Sequence, residues 1–309
     1  MKFLTLLNML LTIIFILLAV AFITLLERKI LGYMQFRLGP NKVGFLGIMQ
    51  PFSDAIKLYN KEVVFPTMAN TFPFFFSPIL SLVLAMSIWS SLPFLKSVLA
   101  LKLSILYFLA ILGMGVYPSL IAGWSSNSNF CSLGSIRFLA QTISYEVSLI
   151  FIILFNMFIS FSLNIFCLSI MQKYFWFFVF FIPCLSWMIS VLAELNRTPF
   201  DFAEGESELV SGFNTEFSSG SFAIIFMAEY MMILFFSLFT SIIFFCSSIF
   251  SFFLILMIFF MLLFFIWTRA TLPRYRYDKL MNFSWKVVLP ISIFNLFLSN
   301  FMLIMIIKV

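Results

Sequence analysis

The feature that most constrains this chain is a series of long apolar segments. A membrane-spanning helix needs about 20 mostly apolar residues to cross a hydrocarbon core of about 30 Å. Of the 309 residues 63% are hydrophobic and only 10% are charged, and the mean hydropathy is +1.13. Eight segments are long enough, at residues 3–26, 72–95, 103–122, 138–161, 174–193, 222–246, 249–267 and 287–307.

These segments predict the fold class. Open strands leave backbone polar groups unsatisfied in lipid, so the chain is expected to be all-α. We predict one polytopic bundle over residues 1–309. It contains about eight transmembrane helices and, in addition, one amphipathic interfacial helix. The first segment lacks a small-residue cleavage site and is interpreted as a retained helix rather than a signal peptide. The sixth and seventh segments are separated only by Ser247 and Ser248.

The charged residues predict the topology. With eight spans, thirteen of the eighteen lysines and arginines lie on the side opposite the two termini, and every carboxylate outside the spans lies there too. The positive-inside rule places that side in the compartment equivalent to the cytoplasm. The net charge of +6 is therefore interpreted as a topology signal, and no nucleic-acid partner is expected.

The metal-binding residue types argue against a redox centre on this chain. There is no histidine, and the four cysteines show no CxxC spacing. Iron–sulfur and zinc sites need clustered thiolates or imidazoles, so we expect no bound metal. Electrons, if they are involved, must come from another chain.

Two inner loops carry helical or cationic patterns. In residues 50–62, Phe52, Ala55, Ile56 and Tyr59 recur at helical spacing opposite a lysine-bearing face. That pattern suits a helix lying in the membrane interface, although a helix packed on the bundle fits equally well. The loop 269–281 contains Arg269, Arg274, Arg276 and Lys279, which can bind lipid headgroups or an acidic partner, or pair with the acidic loop described next.

The acidic residues are unusually concentrated. Six of the twelve carboxylates lie between Glu194 and Glu216, and two others, Glu146 and Glu229, fall within predicted spans. Ionisable residues inside a membrane usually face the bundle interior and mark proton or ion pathways. We expect Glu146 and Glu229 to form a proton relay with Glu194, Asp201, Glu204 and Glu206. The alternative is that the two buried glutamates only make hydrogen bonds and that the loop is a solvated acidic face.

Several long motifs identify a family resemblance. They are LLERKILGYMQFRLGPNKVG from residue 25, QPFSDAIKL from 50, AGWSSNSNF from 122, QTISYEVSL from 141, AELNRTPFDFAEGESELVSGFNTEF from 193, FMAEY from 226 and LPRYRYDKLM from 272. The chain resembles the quinone-proximal membrane subunits of respiratory complex I, the proton-translocating NADH:ubiquinone oxidoreductase. The resemblance covers all predicted spans and every inner loop.

The resemblance implies roles for particular residues. Arg28, Arg37 and Asp54 match polar residues along the ubiquinone chamber, and Phe52, Phe226 and Tyr230 are expected beside them as lining. Six carboxylates match the start of the family's proton route into the membrane arm: Glu146, Glu194, Asp201, Glu204, Glu206 and Glu229.

The resemblance also implies the setting. Ubiquinone is the substrate, while NADH, FMN and the iron–sulfur clusters belong to partner subunits. The expected partners are the quinone-site subunits of the peripheral arm, adjacent small membrane subunits and membrane lipids. The expected location is the mitochondrial inner membrane, with the charged loops on the matrix side and both termini in the intermembrane space.

The sequence departs from the family pattern at a few positions, and other classes of protein remain as alternatives. Leu38 stands where lysine is usual in the family, Leu195 where threonine is usual, and Phe202–Ala203 where Leu-Thr is common. A quinone-module subunit of a membrane-bound hydrogenase-type complex shares these motifs. An independent ion transporter is disfavoured because no lysine or arginine lies mid-span, and a purely structural anchor is disfavoured by the two buried glutamates.

Overall fold

The computed structural model describes residues 2–92, 101–171, 181–202, 205, 212–245 and 251–308. Within these ranges every regular element is helical. The helices are α1 (Lys2–Met34), α2 (Gln50–Tyr59), α3 (Thr71–Trp89), α4 (Ser104–Met114), α5 (Val116–Ser125), α6 (Asn129–Ser160), α7 (Ile165–Met171), α8 (Phe181–Glu194), α9 (Ser219–Phe244), α10 (Phe252–Thr271), α11 (Tyr277–Phe283) and α12 (Leu289–Lys308). Two 3-10 turns (Phe45–Gly47, Gly212–Asn214) and a π-helical turn (Ser284–Val288) complete the order.

The predicted polytopic fold is confirmed. Seven helical segments of the described chain are long and apolar enough to cross a membrane, and each corresponds to one predicted span. The third of them, Ser104–Ser125, combines α4 and α5. The predicted fifth span corresponds to α8, whose described part is a shorter apolar helix of 14 residues; residues 172–180 lie outside the described ranges.

The helix ends differ from the predicted spans at two places that matter for function. Helix α1 continues to Met34 rather than ending near residue 26, so the Glu27–Arg28–Lys29 run is helical. Helix α6 begins at Asn129, which places Glu146 near the middle of its 32 residues. The predicted boundary at Ser247 and Ser248 lies outside the described residues, and α10 begins after Ser251, whose hydroxyl caps the Leu254 amide at 3.3 Å.

Two helices organise the packing. Helix α9 packs against α1, α2, α3 and α10, while α6 packs against α5, α8 and α12. The core beside α9 is built from phenylalanine rings: Phe108 lies 5.4 Å from Phe235 and 4.5 Å from Phe239, centroid to centroid. Such pairs add about 0.5–1.5 kcal/mol beyond area burial. The two packing groups leave a cavity between them.

The predicted amphipathic helix is present as α2. It packs against α1 and α9, and the Phe52 ring meets Phe22 edge-on at 6.2 Å. Phe52, Ile56 and Tyr59 nevertheless stay exposed. The helix therefore combines both expected behaviours, because one side packs on the bundle while an apolar strip remains available to a membrane interface or a partner.

Candidate functional site

A cavity of about 190 Å³ lies between α3, α4, α5, α6 and α9, and the segment 194–201 and α10 also contribute to its wall. Its apolar lining includes Phe138, Phe213 and Phe226. Its polar lining combines charged groups, amides and hydroxyls: Ser77, Ser81, Ser119, Thr142, Glu194, Asn196, Arg197, Thr198, Asp201, Glu229, Tyr230 and Arg269. A mostly apolar wall with a few convergent polar groups is typical of a ligand or transport site.

The segment 194–202 is fixed against α6 by a buried glutamine. The Gln141 Nε2 donates hydrogen bonds to the Ala193 and Phe200 carbonyls at 2.9 and 2.8 Å. The Tyr145 ring lies 5.9 Å from the Phe200 ring, and the Tyr275 amide donates to the Pro199 carbonyl at 3.0 Å. These contacts place a polar, non-helical stretch beside the cavity, which is where irregular backbone is tolerated at membrane depth.

Three of the predicted carboxylates line this cavity together: Glu194, Asp201 and Glu229. The Oε2 of Glu194 is buried without a hydrogen-bond partner among the described residues, and so are Asn196 Oδ1 and Thr198 Oγ1. Buried polar atoms normally find partners in protein or ordered water. These three oxygens are therefore suited to hydrogen bonds with water or a polar ligand.

Glu146 lies behind this group rather than among the lining residues. It sits on α6, half-buried, with its Oε1 buried and lacking a hydrogen-bond partner in the described part of the chain. It lies close enough to Glu194 for the two carboxylates to repel each other when both are charged. The structure thus brings four predicted carboxylates into one neighbourhood, while Glu204 and Glu206 lie outside the described residues.

A buried ion-pair cluster that the sequence reasoning missed adjoins the cavity wall. Glu27 is 3% exposed, and its Oε1 accepts from Arg197 Nη1 at 2.6 Å and from Arg269 Nη1. The Arg197 guanidinium also lies over the Tyr230 ring, 5.1 Å from its centroid. Burial alone would lower the pKa of Arg197, but the Glu27 carboxylate raises it above its ordinary value, so this guanidinium stays charged.

The signal that could have found Glu27 was its sequence context. The apolar run of the first segment ends in Glu27–Arg28–Lys29, which was interpreted as the end of the span. Helix α1 instead continues for almost two turns, so Glu27 is inside the helix and needs a buried partner.

The residues expected along the ubiquinone chamber fall into two groups. Phe226 and Tyr230 line the cavity. Arg28, Asp54 and Phe52 instead lie at the α1–α2 contact, outside the described cavity lining, with Arg28 Nη1 2.5 Å from Asp54 Oδ2 and Gln50 Nε2 2.9 Å from Asp54 Oδ1. Arg37 is exposed beyond α1 and donates to the Gln35 side chain at 2.9 Å.

The cationic loop pairs with carboxylates, one of the alternatives that its sequence allowed. Arg274 Nη2 lies 3.1 Å from Asp201 Oδ2, Arg276 pairs with Asp278, and Arg269 pairs with Glu27.

Of the residues that depart from the family pattern, Leu195 and Phe202 are buried in the apolar core and Leu38 is exposed. Across the described ranges, no group of three or more His, Cys, Asp or Glu side chains is arranged to hold a metal ion.

These features define a polytopic helical membrane protein with a cavity that combines carboxylates, guanidiniums and apolar rings. The sequence model of the NADH dehydrogenase family matches residues 7–300. The chain therefore belongs to the NADH dehydrogenase family, as its motifs predicted.

Individual relatives support the same assignment, and each of the following is named NADH-ubiquinone oxidoreductase chain 1. The chain is 53% identical to that of Aedes aegypti over 95% of this chain and 94% of the relative. It is 51% identical to that of Locusta migratoria, over 96% and 94% of the two chains. It is 46% identical to that of the marsupial Sarcophilus harrisii, over 93% and 92%.

Proposed function

We propose that this chain is a core membrane subunit of proton-translocating NADH:ubiquinone oxidoreductase in the mitochondrial inner membrane. In this proposal it forms part of the ubiquinone chamber at the junction with the peripheral arm. It also provides the first carboxylates of the proton path into the membrane arm. The names of the relatives support the NADH- and ubiquinone-linked reaction and favour it over a hydrogenase-type complex.

The cavity is the observation that carries the proton-path half of the proposal. Glu194, Asp201 and Glu229 share it with several hydroxyl groups, and Glu146 lies within electrostatic range of Glu194. Carboxyl groups that share one cavity can pass a proton through intervening water, each accepting one proton and releasing one. Glu204 and Glu206 lie within a few residues of Asp201 in the sequence, so we include them in the same path.

The apolar rings of the cavity and the ion pair between α1 and α2 support the part of the proposal that concerns the ubiquinone chamber. Phe226 and Tyr230 provide an apolar and aromatic wall for a polyisoprenoid tail, and the exposed Phe52 extends such a surface along α2. Arg28, Arg37 and Asp54 supply charged groups at the end of α1 and on α2. Ubiquinone reduction consumes two electrons and two protons, and the electrons come from redox centres of partner subunits.

The proposed assembly follows from the same surfaces. Quinone-site subunits of the peripheral arm would meet the charged loops on the matrix side, and small membrane subunits and lipids would cover the apolar helix faces. Both termini would lie in the intermembrane space. The lysine and arginine distribution supports this orientation.

Substitution of the path carboxylates in the assembled complex tests the proposal. Glu146→Gln, Glu204→Gln and Glu229→Gln remove a titratable proton site while keeping nearly the same shape. NADH-driven quinone reduction and proton pumping are recorded on the same membranes, with the exposed Glu62→Gln as the matched control. We expect pumping to fall by about tenfold or more in the three variants, as for loss of a proton-transfer group, and to be unchanged in the control.

Normal pumping in all three variants, with the complex fully assembled, would refute the proton path. A loss of pumping in Glu62→Gln of the same size would show that the effect is general rather than specific to the path.

A further inference from the structure

Glu27 is a buried carboxylate that the proposed proton path does not use. Its Oε1 binds two guanidiniums, those of Arg197 and Arg269, and the Arg197 guanidinium also lies over the Tyr230 ring. These groups come from α1, the segment after α8, α10 and α9. One negative charge therefore ties together four parts of the chain.

The two arginines of this cluster also belong to the cavity wall. Arg197 and Arg269 line the cavity together with Glu194, Asp201 and Glu229, whereas Glu27 is absent from its described lining. Arg197 is mostly buried, and its side chain is 14% exposed, whereas that of Arg269 is 46% exposed. In a poorly hydrated site a guanidinium attracts any nearby carboxylate strongly, so its position decides which carboxylate it stabilises in the charged form.

We propose that Glu27 is a positioning residue that holds Arg197 and Arg269 away from the cavity carboxylates. With Glu27 in place, the guanidiniums are engaged at the end of α1. Without it, they are free to form an ion pair with Glu194, whose Oε2 has no hydrogen-bond partner among the described residues, and a carboxylate held in such a pair accepts a proton less readily. The inference rests on the proposed function, because it assigns Glu27 the task of keeping the proton-path carboxylates titratable.

A purely structural ion pair would give a different pattern. Loss of a structural contact lowers the amount of assembled complex and its stability, but leaves the turnover of the complex that does assemble. A positioning role predicts, in addition to any loss of stability, slow turnover in the complex that does assemble, with little change in the KM for quinone. It also predicts partial recovery when one of the released guanidiniums is removed.

The test compares Glu27→Gln with two double variants in assembled membranes. We expect Glu27→Gln to lower the pumping rate and kcat per assembled complex by about tenfold, because the Arg197 and Arg269 guanidiniums lose the carboxylate that holds them, while the KM for quinone changes by less than about twofold. Glu27→Gln/Arg269→Gln is expected to recover about threefold, since only one guanidinium is then released.

The second double variant, Glu27→Gln/Arg276→Gln, is the matched control. It also removes one arginine charge from the 269–281 stretch, but Arg276 pairs with the exposed Asp278 and not with Glu27. We expect it to be as slow as Glu27→Gln alone. Equal recovery in both double variants would overturn the inference, because net charge rather than guanidinium position would then explain the effect.

If Glu27→Gln fails to assemble, the shorter Glu27→Asp replaces it, with and without Arg269→Gln. The inference then requires Glu27→Asp to be slower than the unsubstituted complex and the double variant to be faster than Glu27→Asp; the opposite order overturns it. The proposed function is judged separately by Glu229→Gln. If Glu229→Gln stops pumping while Glu27→Gln pumps normally, only the inference is wrong; if Glu146→Gln, Glu204→Gln and Glu229→Gln pump normally as well, the proposed proton path is wrong too.

Discussion

Glu27 and Arg28 are neighbours on α1, yet their ion pairs lie in opposite environments. The Glu27 side chain is 3% exposed and binds two guanidiniums at the cavity. Arg28 is 53% exposed and pairs with Asp54, 34% exposed, at 2.5 Å on the α2 side. Successive residues of a helix point about 100° apart, so one step along α1 separates a buried site from a solvated one.

The difference teaches that ion pairs in this chain are not interchangeable. A buried pair is weak support for stability as a whole, but removing one partner leaves an uncompensated charge. An exposed pair contributes about 0–1 kcal/mol and is weakened by salt. We therefore expect the Glu27 cluster to control geometry, and the Arg28–Asp54 pair to stay free to respond to a ligand.

The most direct test of the difference between the two ion pairs is to replace Glu27 and Arg28 by alanine in turn. Glu27→Ala should destabilise the assembled complex by about 3–5 kcal/mol, since Arg197 is left charged and buried. Arg28→Ala should cost no more than about 1 kcal/mol. The measurement is the thermal midpoint for loss of assembled complex in detergent. Equal losses in the two variants would contradict the assignment of Glu27 to a buried site.

Packing at the cavity can be tested with two glycines. A Cβ at Gly134 on α6 would lie 2.8 Å from the Phe213 amide nitrogen, whereas a Cβ at Gly113 on α4 would meet nothing within 4 Å. Gly134→Ala should therefore destabilise the complex by about 1–3 kcal/mol. Gly113→Ala should be neutral or stabilising by about 0.5–1 kcal/mol because alanine favours helix. The same thermal assay compares them, and a harmless Gly134→Ala would mean that the 212–217 segment does not pack tightly on α6.

The apolar wall of the cavity gives a smaller, kinetic effect. Phe226→Ala should raise the KM for a long-tailed quinone about fivefold to tenfold, equivalent to about 1–1.4 kcal/mol. Phe294→Ala, which removes the same ring from an exposed position on α12, is the control and should leave the KM unchanged. Steady-state NADH:quinone assays with varied quinone settle the point, and an unchanged KM in Phe226→Ala would remove this residue from the chamber.

The smallest effect is expected at the exposed Arg28–Asp54 ion pair. Asp54→Asn should raise the quinone KM by about twofold to threefold, or less than 1 kcal/mol, with no loss of assembly. Asp278→Asn breaks the other exposed pair, with Arg276 at 3.1 Å, and should change neither quantity. Measurement at low and high salt sharpens the test, since the Asp54 effect should shrink as ionic strength rises.

Much of the fold could be predicted from local patterns. The apolar segments predicted the long helices, because each span needs only its own run of residues. The helical spacing of Phe52, Ile56 and Tyr59 predicted α2. The six-carboxylate cluster pointed to the segment after α8, and the structure brings Glu194, Asp201 and Glu229 to one cavity. The separation of Phe226 and Tyr230 from Arg28 and Asp54 could not be predicted in this way, since it depends on how α1, α2 and α9 pack.

Taken alone, the sequence determined where the long apolar helices lie, the concentration of acid after α8 and the family of the chain. These properties follow from composition and spacing within single segments. Only the tertiary structure decided that Glu27 is buried, because its partners Arg197 and Arg269 lie 170 and 242 positions away in the chain. The physical reason is that a charge survives at membrane depth only beside its counter-charges, and packing alone decides which distant residues supply them.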